Sequence, residues 1–148
     1  VSSHYRSHAH NNLGTIYFQL GDYLKAEKEF KSGIRAKSSQ PTNHFNLGTL
    51  LASQGRNLAA KESYEKAEGL YKNYRWGYQV PDELYINKAR LLLKLKLYKE
   101  AEVYINNYLK RVPESGPGHF VLASIFSAIG KQDKALHEYS LIGNTPKL

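Results

Sequence analysis

Three groups of residues in this chain could do chemistry. Six histidines are present, and His4 and His8 stand at i, i+4, a spacing that on a helix aims two imidazoles at one metal ion. The stretch GLYKNYRWGYQVPDE, residues 69–83, sets Tyr71, Tyr74, Tyr78 and the only tryptophan beside Lys72 and Arg75. Interleaved rings and bases of that kind can stack on nucleic-acid bases. The third group is a recurring asparagine, Asn12, Asn46 and Asn87. A side-chain amide carries donors and an acceptor together, so it can satisfy both groups of an extended peptide backbone.

Composition narrows the choice. The 148 residues carry a formal charge of +8, which favours acidic partners. The excess is local: Tyr71–Arg111 holds Lys72, Arg75, Lys88, Arg90, Lys94, Lys96, Lys99, Lys110 and Arg111 against Asp82, Glu83, Glu100 and Glu102. With no cysteine, disulfides, thiolate metal sites and cysteine nucleophiles are excluded. Methionine is absent even at residue 1, so the chain reads as an excerpt of a longer protein. The longest apolar run, ARLLLKLKLY, is broken by lysines and falls short of a membrane span. The reading is a soluble domain of unknown compartment, with a cytoplasmic setting slightly favoured.

The elements that must position these residues emerge from an internal repeat. NNLGTIYFQLGDYLKAEKEF, from Asn11, is answered by FNLGTLLASQGRNLAAKESY, from Phe45. Leu13-Gly14 and Leu47-Gly48, Gly21 and Gly55, Ala26 and Ala60, and Phe30 and Tyr64 all keep the same spacing. Ala101 and Ala135, and Leu92 and Phe126, repeat it more weakly. Leu13, Tyr17 and Leu20 follow helical spacing and predict a first helix, A, which Gly21 ends. Tyr23, Ala26, Phe30 and Ile34 predict a second, B. Pro41, Pro81 and Pro117 suit the opening turns of later units.

A helix–turn–helix of 34 residues with these marks resembles the tetratricopeptide repeat (TPR) family. The resemblance implies an all-α, right-handed α-solenoid of four units, about 7–40, 41–80, 82–115 and 116–148, forming a single array over 1–148. The third unit departs from the pattern, with Lys88-Ala89 for Leu-Gly and Lys96 for the turn glycine.

The family's A helices line a groove for extended peptides, and the residue before Leu-Gly points into it. The resemblance therefore implies a binding groove of Asn12, Thr15, Gln19, Asn46, Thr49, Asn87, Arg90 and Lys94. Val121 takes the asparagine's place in the fourth unit. The asparagine series is similar to that of O-GlcNAc transferase-type superhelices. Arg90 and Lys94 would favour a peptide of acidic character. The family's carboxylate clamp is not supported, because Asn11 and Thr15 stand where it needs a lysine and an asparagine, and Glu83 and Asn87 where it needs Lys and Arg.

The other readings weaken against this frame. His10, His44 and His119 each precede the unit's leucine by three residues, where the family packs a large side chain. No carboxylate completes a histidine cluster, and no phosphate loop, nucleophile elbow or HExxH run occurs. A non-enzymatic module without cofactor or metal is expected, with nucleic acid disfavoured. Residues 69–83 hold a seven-residue excess over the period. The stripe Ala60, Tyr64, Ala67, Tyr71, Tyr74, Tyr78 predicts a second B helix extended about two turns, to near Trp76. Arg75 and Trp76 lie off that stripe and are candidate partner contacts. An alternative role is self-association, through the extended B helix or through the last helix, whose Ala135, Leu136, Tyr139 and Ile142 lack a polar cap. A docking segment of a larger enzyme or membrane protein is a further alternative.

Overall fold

The computed structural model describes residues 1–74 and 79–143. Eight helices lie in these residues, with no strand among them: α1 (Ser3–Gln19), α2 (Tyr23–Ala36), α3 (Pro41–Ser53), α4 (Asn57–Lys72), α5 (Asp82–Lys94), α6 (Tyr98–Leu109), α7 (Gly116–Ala128) and α8 (Gln132–Gly143). They fall into two compact units, Val1–Leu84 and Tyr85–Leu148.

In the first unit, α1 packs on α2 and α3 on α4, and α2 joins the two hairpins by packing on α3. Each hairpin closes tightly because a glycine of the A helix meets a ring of the B helix. A Cβ on Gly14 would stand 2.6 Å from the Phe30 ring, and one on Gly48 would stand 2.7 Å from the Tyr64 ring. Both rings are fully buried. The hairpins are locked together by a buried polar chain: Ser7 Oγ donates to Gly33 O at 3.0 Å, and Asn43 Nδ2 donates to Ser7 Oγ at 2.9 Å. Gly33 lies so close to the Asn43 amide that any Cβ there would overlap it.

In the second unit, α7 packs on α8 and α6 on α7. Tyr85 stacks on Tyr108, with ring centroids 5.2 Å apart, and Arg111 Nη1 donates to the Tyr85 hydroxyl at 2.6 Å. Ser115 caps α7 through the Gly118 N–H and also accepts from the Tyr108 hydroxyl.

The turns between helices A and B repeat one conformation. Gly21, Gly55 and Gly130 take φ of 78°, 73° and 79°, and the position between α5 and α6 is held by Lys96 at φ 59°. Among the described residues Lys96 is the one non-glycine residue with positive φ, so the turn survives the loss of its glycine at a steric penalty.

Two expectations need correction. The second B helix, α4, ends at Lys72, two residues longer than α2, and does not reach Trp76. Asn73 is its C-cap, at φ −91° and ψ 3°, and the Tyr74 N–H then bonds Tyr71 O in a tighter turn. Tyr64, Ala67 and Tyr71 of the stripe are buried; Tyr78 lies outside the described residues. On α1, Leu13 and Leu20 are exposed and only Tyr17 of the predicted stripe is half-buried. The 3.6-residue spacing marks a face that packs on another repeat, and no described element covers α1 there.

Replacing Lys96 by glycine should stabilise the second unit by about 1 kcal/mol, the penalty for a side chain in the left-handed region; chemical denaturation checks it. Gly33→Ala should destabilise by about 1–3 kcal/mol through overpacking. In a double-mutant cycle, Asn43→Ala should recover part of that loss.

Candidate functional site

Along the first unit the polar residues of the A helices meet at one seam. Asn46 Nδ2 on α3 donates to Asn11 Oδ1 on α1 at 2.8 Å, bridging the two A helices. Asn12 stands beside this bridge, exposed, and Gln19 is exposed two turns further along α1. Thr15 and Thr49 are half-buried and turn their hydroxyl protons back to the helix, to Asn11 O at 2.9 Å and Phe45 O at 3.2 Å. Each keeps acceptor capacity, and that of Thr49 is shared with the Tyr64 hydroxyl at 3.2 Å. The seam thus offers a ligand mainly amides, with hydroxyl oxygens as secondary acceptors.

On the second unit, α5 carries Asn87, half-buried, and Arg90 and Lys94, both exposed. Neither cation has a carboxylate partner among the described residues. In the first unit Lys25 pairs with Asp22, Lys31 and Arg56 with Glu27, Lys61 with Glu65, and Lys72 with Glu68. Val121 is buried, so the fourth position presents nothing to a ligand; its neighbour Phe120 is exposed and makes an edge contact with Tyr139. Arg75 and Trp76 lie outside the described residues.

Sequence reasoning missed Asn11, the actual partner of Asn46, because it read only the residue before Leu-Gly. It also missed the exposed Phe120–Tyr139 pair. The signal for Asn11 was available: it lies one helical position from Asn12, on the side where α3 packs.

Three histidines are structural. His10 Nδ1 lies 2.7 Å from Glu29 Oε2, and His119 Nδ1 lies 2.7 Å from Glu138 Oε2, each tying the A helix to the B helix of its own hairpin. His44 and His119 also donate through Nε2 to the carbonyls of Ser38 and Pro113 in the preceding loop. His4 and His8 stack edge-on, 4.4 Å between centroids, and the Lys37 ammonium stands 3.3 Å from His4 Nδ1. A cation already in that place disfavours a second one. Among the described residues no three of His, Cys, Asp or Glu converge as metal ligands.

A family model described as "Tetratricopeptide repeat" matches residues 7–40, 41–74 and 82–114, well over half of the chain. The chain belongs to the tetratricopeptide repeat family. TPR proteins generally mediate protein–protein interaction. Among solved structures, MamA from residue 41 to its end, of Desulfovibrio magneticus RS-1, is similar at TM-score 0.79 and 18% identity, over 93% of this chain and 73% of that one. YrrB, titled a TPR protein with an unusual peptide-binding site, is similar at TM-score 0.75 and 17% identity, over 90% of this chain and 65% of that one. The first TPR domain of Spaghetti (RPAP3), bound to the HSP90 peptide SRMEEVD, is similar at TM-score 0.74 and 19% identity, over 88% of this chain and 99% of that one. At such identities the likeness is one of fold. No curated protein matches the sequence. No helix of the described residues is long and apolar enough to cross a membrane.

Two groups make the first unit's stability pH-dependent. Burial holds the His44 imidazole below its ordinary pKa; the Ser38 carbonyl opposes that shift and Lys66 adds to it. Unfolding lets His44 take a proton that the folded state resists, so stability should fall as pH drops below about 6.5 and level off below the folded pKa. Arg56 and Lys31 hold the Glu27 carboxyl below its ordinary range, so that contribution is present above about 4.3 and is lost on further acidification. Urea unfolding at a series of pH values should show both losses. His44→Phe should remove the first and Arg56→Ala should shrink the second.

Proposed function

We propose that the chain is a protein-interaction scaffold whose A helices hold an extended segment of a partner protein, with acidic character preferred. The observation that carries this reading is the contrast in free polar groups. Four cations of the first unit's B helices, Lys25, Lys31, Lys61 and Lys72, pair with carboxylates, whereas Arg90 and Lys94 on α5 are exposed and have none among the described residues. Exposed cations without a carboxylate partner suit an acidic side chain or a terminal carboxylate.

On the first unit, Asn12 would read the partner's main chain. Asn46 would join it through the Oδ1 and second N–H that its bond to Asn11 leaves over. Such contacts are tolerant of sequence, because every residue offers the same N–H and C=O. On the second unit Asn87 would do the same beside Arg90 and Lys94, whose positions would select the ligand's charge. The acidic peptide bound by the Spaghetti domain supports this class of occupant. The mode would differ from a carboxylate clamp, since Asn11 and Thr15 stand at the clamp's places.

A random-peptide library panned against the chain tests the reading. Recovered binders should be extended and enriched in Asp and Glu, and binding should weaken with salt. Asn46→Ala/Asn87→Ala should weaken every binder about tenfold, from about 0.5–1.5 kcal/mol per lost hydrogen bond. Arg90→Glu/Lys94→Glu should abolish the acidic enrichment and leave neutral binders in place. Enrichment of neutral or basic peptides by the unmutated chain would rule out the charge selection, and an unchanged affinity in the asparagine variant would rule out the backbone reading.

A further inference from the structure

Two apolar surfaces remain open, one at each end of the repeat register. On the first unit Leu13, Ile16 and Leu20 are 44%, 51% and 75% exposed. On the second, Phe120, Leu136 and Tyr139 are 50%, 67% and 39% exposed. We propose that these two faces are complementary and that one copy of the chain docks α7–α8 on the α1–α2 face of a second copy, head to tail.

The contact that already joins α2 to the α3–α4 hairpin supplies the template. With the hairpins aligned on their Leu-Gly and alanine positions, Leu13 and Ile16 correspond to Leu47 and Leu50, which are buried in that stack. The α1 residues are therefore stacking residues that no described element covers. Alignment of Ala135 on Ala26 likewise sets Leu136 at Glu27, Tyr139 at Phe30 and Ile142 at Gly33.

The substitutions match in pairs. Inside the first unit the edge of the stack is polar: Arg56 Nη1 bonds Glu27 Oε2 at 2.8 Å and Gln54 Oε1 at 3.3 Å. At the proposed junction Leu136 replaces Glu27 and Leu20 replaces Gln54, so two exposed leucines meet where two polar groups met. Asp22, at the place of Arg56, is already satisfied, capping α2 through Lys25 N and pairing with Lys25 Nζ at 2.9 Å.

The close-approach point follows the same rule. Where α2 meets α3, a small B residue, Gly33, faces Asn43; where α6 meets α7 the sizes are exchanged, and a Cβ on Gly118 would lie 3.2 Å from the Tyr108 ring. The proposed junction sets Ile142 opposite Ala9, again a large residue against a small one. Such an interface is heterologous, since each copy contributes a different face.

The absence of native cysteine makes the test direct. Leu20→Cys and Leu136→Cys are made separately and mixed under mild oxidation. The mixture should form a disulfide-linked heterodimer at least ten times faster than either variant alone forms a homodimer. Sedimentation of the unmodified chain should show a mass that rises with concentration. Leu20→Glu and Leu136→Lys should each weaken association about tenfold or more, and a mixture of the two should regain it. Both positions are exposed, so circular dichroism should be unchanged. A chain that stays monomeric at all concentrations overturns the proposal, as does faster pairing of Leu20→Cys with itself, which would indicate a symmetric face-to-face contact.

Discussion

The first unit depends on how closely α2 can approach α3. That approach is set at Gly33, whose missing side chain leaves room for the Asn43 amide and whose carbonyl accepts from Ser7. Ser7 and Asn43 are both fully buried, so their polar atoms must find partners within the protein. The chain Asn43–Ser7–Gly33 satisfies most of that demand and touches three helices at once. Of the polar atoms in that chain, Asn43 Oδ1 lacks a hydrogen bond among the described residues. Apolar packing could tolerate a shift of one helix along another, whereas this hydrogen-bonded chain cannot, and so it fixes the register in which the hairpins stack. The Asn11–Asn46 bridge follows from that register, since it places the two A helices side by side.

Charge is arranged with the same economy. Glu27 takes two cations, Lys31 from its own helix and Arg56 from the next hairpin, so it serves both helix and stack. Glu27 is largely buried, and that makes the pair to Arg56 more consequential than the exposed pair of Lys25 with Asp22. The second unit instead sets cations against rings. Lys88, buried where other units carry leucine, lies 4.5 Å from the centroid of the Tyr104 ring, and Arg111 lies over Tyr85. Aromatic faces lie against both of those charges. Among the described residues Arg90 and Lys94, one and two turns along α5 from Asn87, have neither ring nor acid against them and stay exposed.

The fold was legible because the repeat supplies the same evidence several times. Leu-Gly, turn glycine, B-helix alanine and aromatic all recur at one spacing, and each has a physical counterpart in a close helix contact or a left-handed turn. Lys96 shows that the turn is imposed by the packed helices around it and not by glycine alone. The end of α4 was not legible. Helical spacing continues through Tyr74 in the sequence, yet periodicity records which residues could share a face and says nothing of where a backbone cap intervenes. Asn73 intervenes there. The exposure of Leu13 and Leu20 was hidden for a related reason: an apolar stripe announces that a face packs, and the partner is a property of the assembly.

The candidate site was legible by residue type more than by geometry. Asn46 was singled out for its amide, but the structure gives part of that amide to Asn11, leaving Asn12 as the more exposed group of the pair. The distinction matters for how a ligand would be held. An amide already tied to a neighbour is fixed in orientation, so a ligand need not restrict its rotamers on binding. An untied amide such as Asn12 can follow a moving backbone, but loses side-chain freedom when it does. A seam that sets one of each side by side combines a rigid contact with an adaptable one, an arrangement suited to partners that share an extended backbone and differ in sequence.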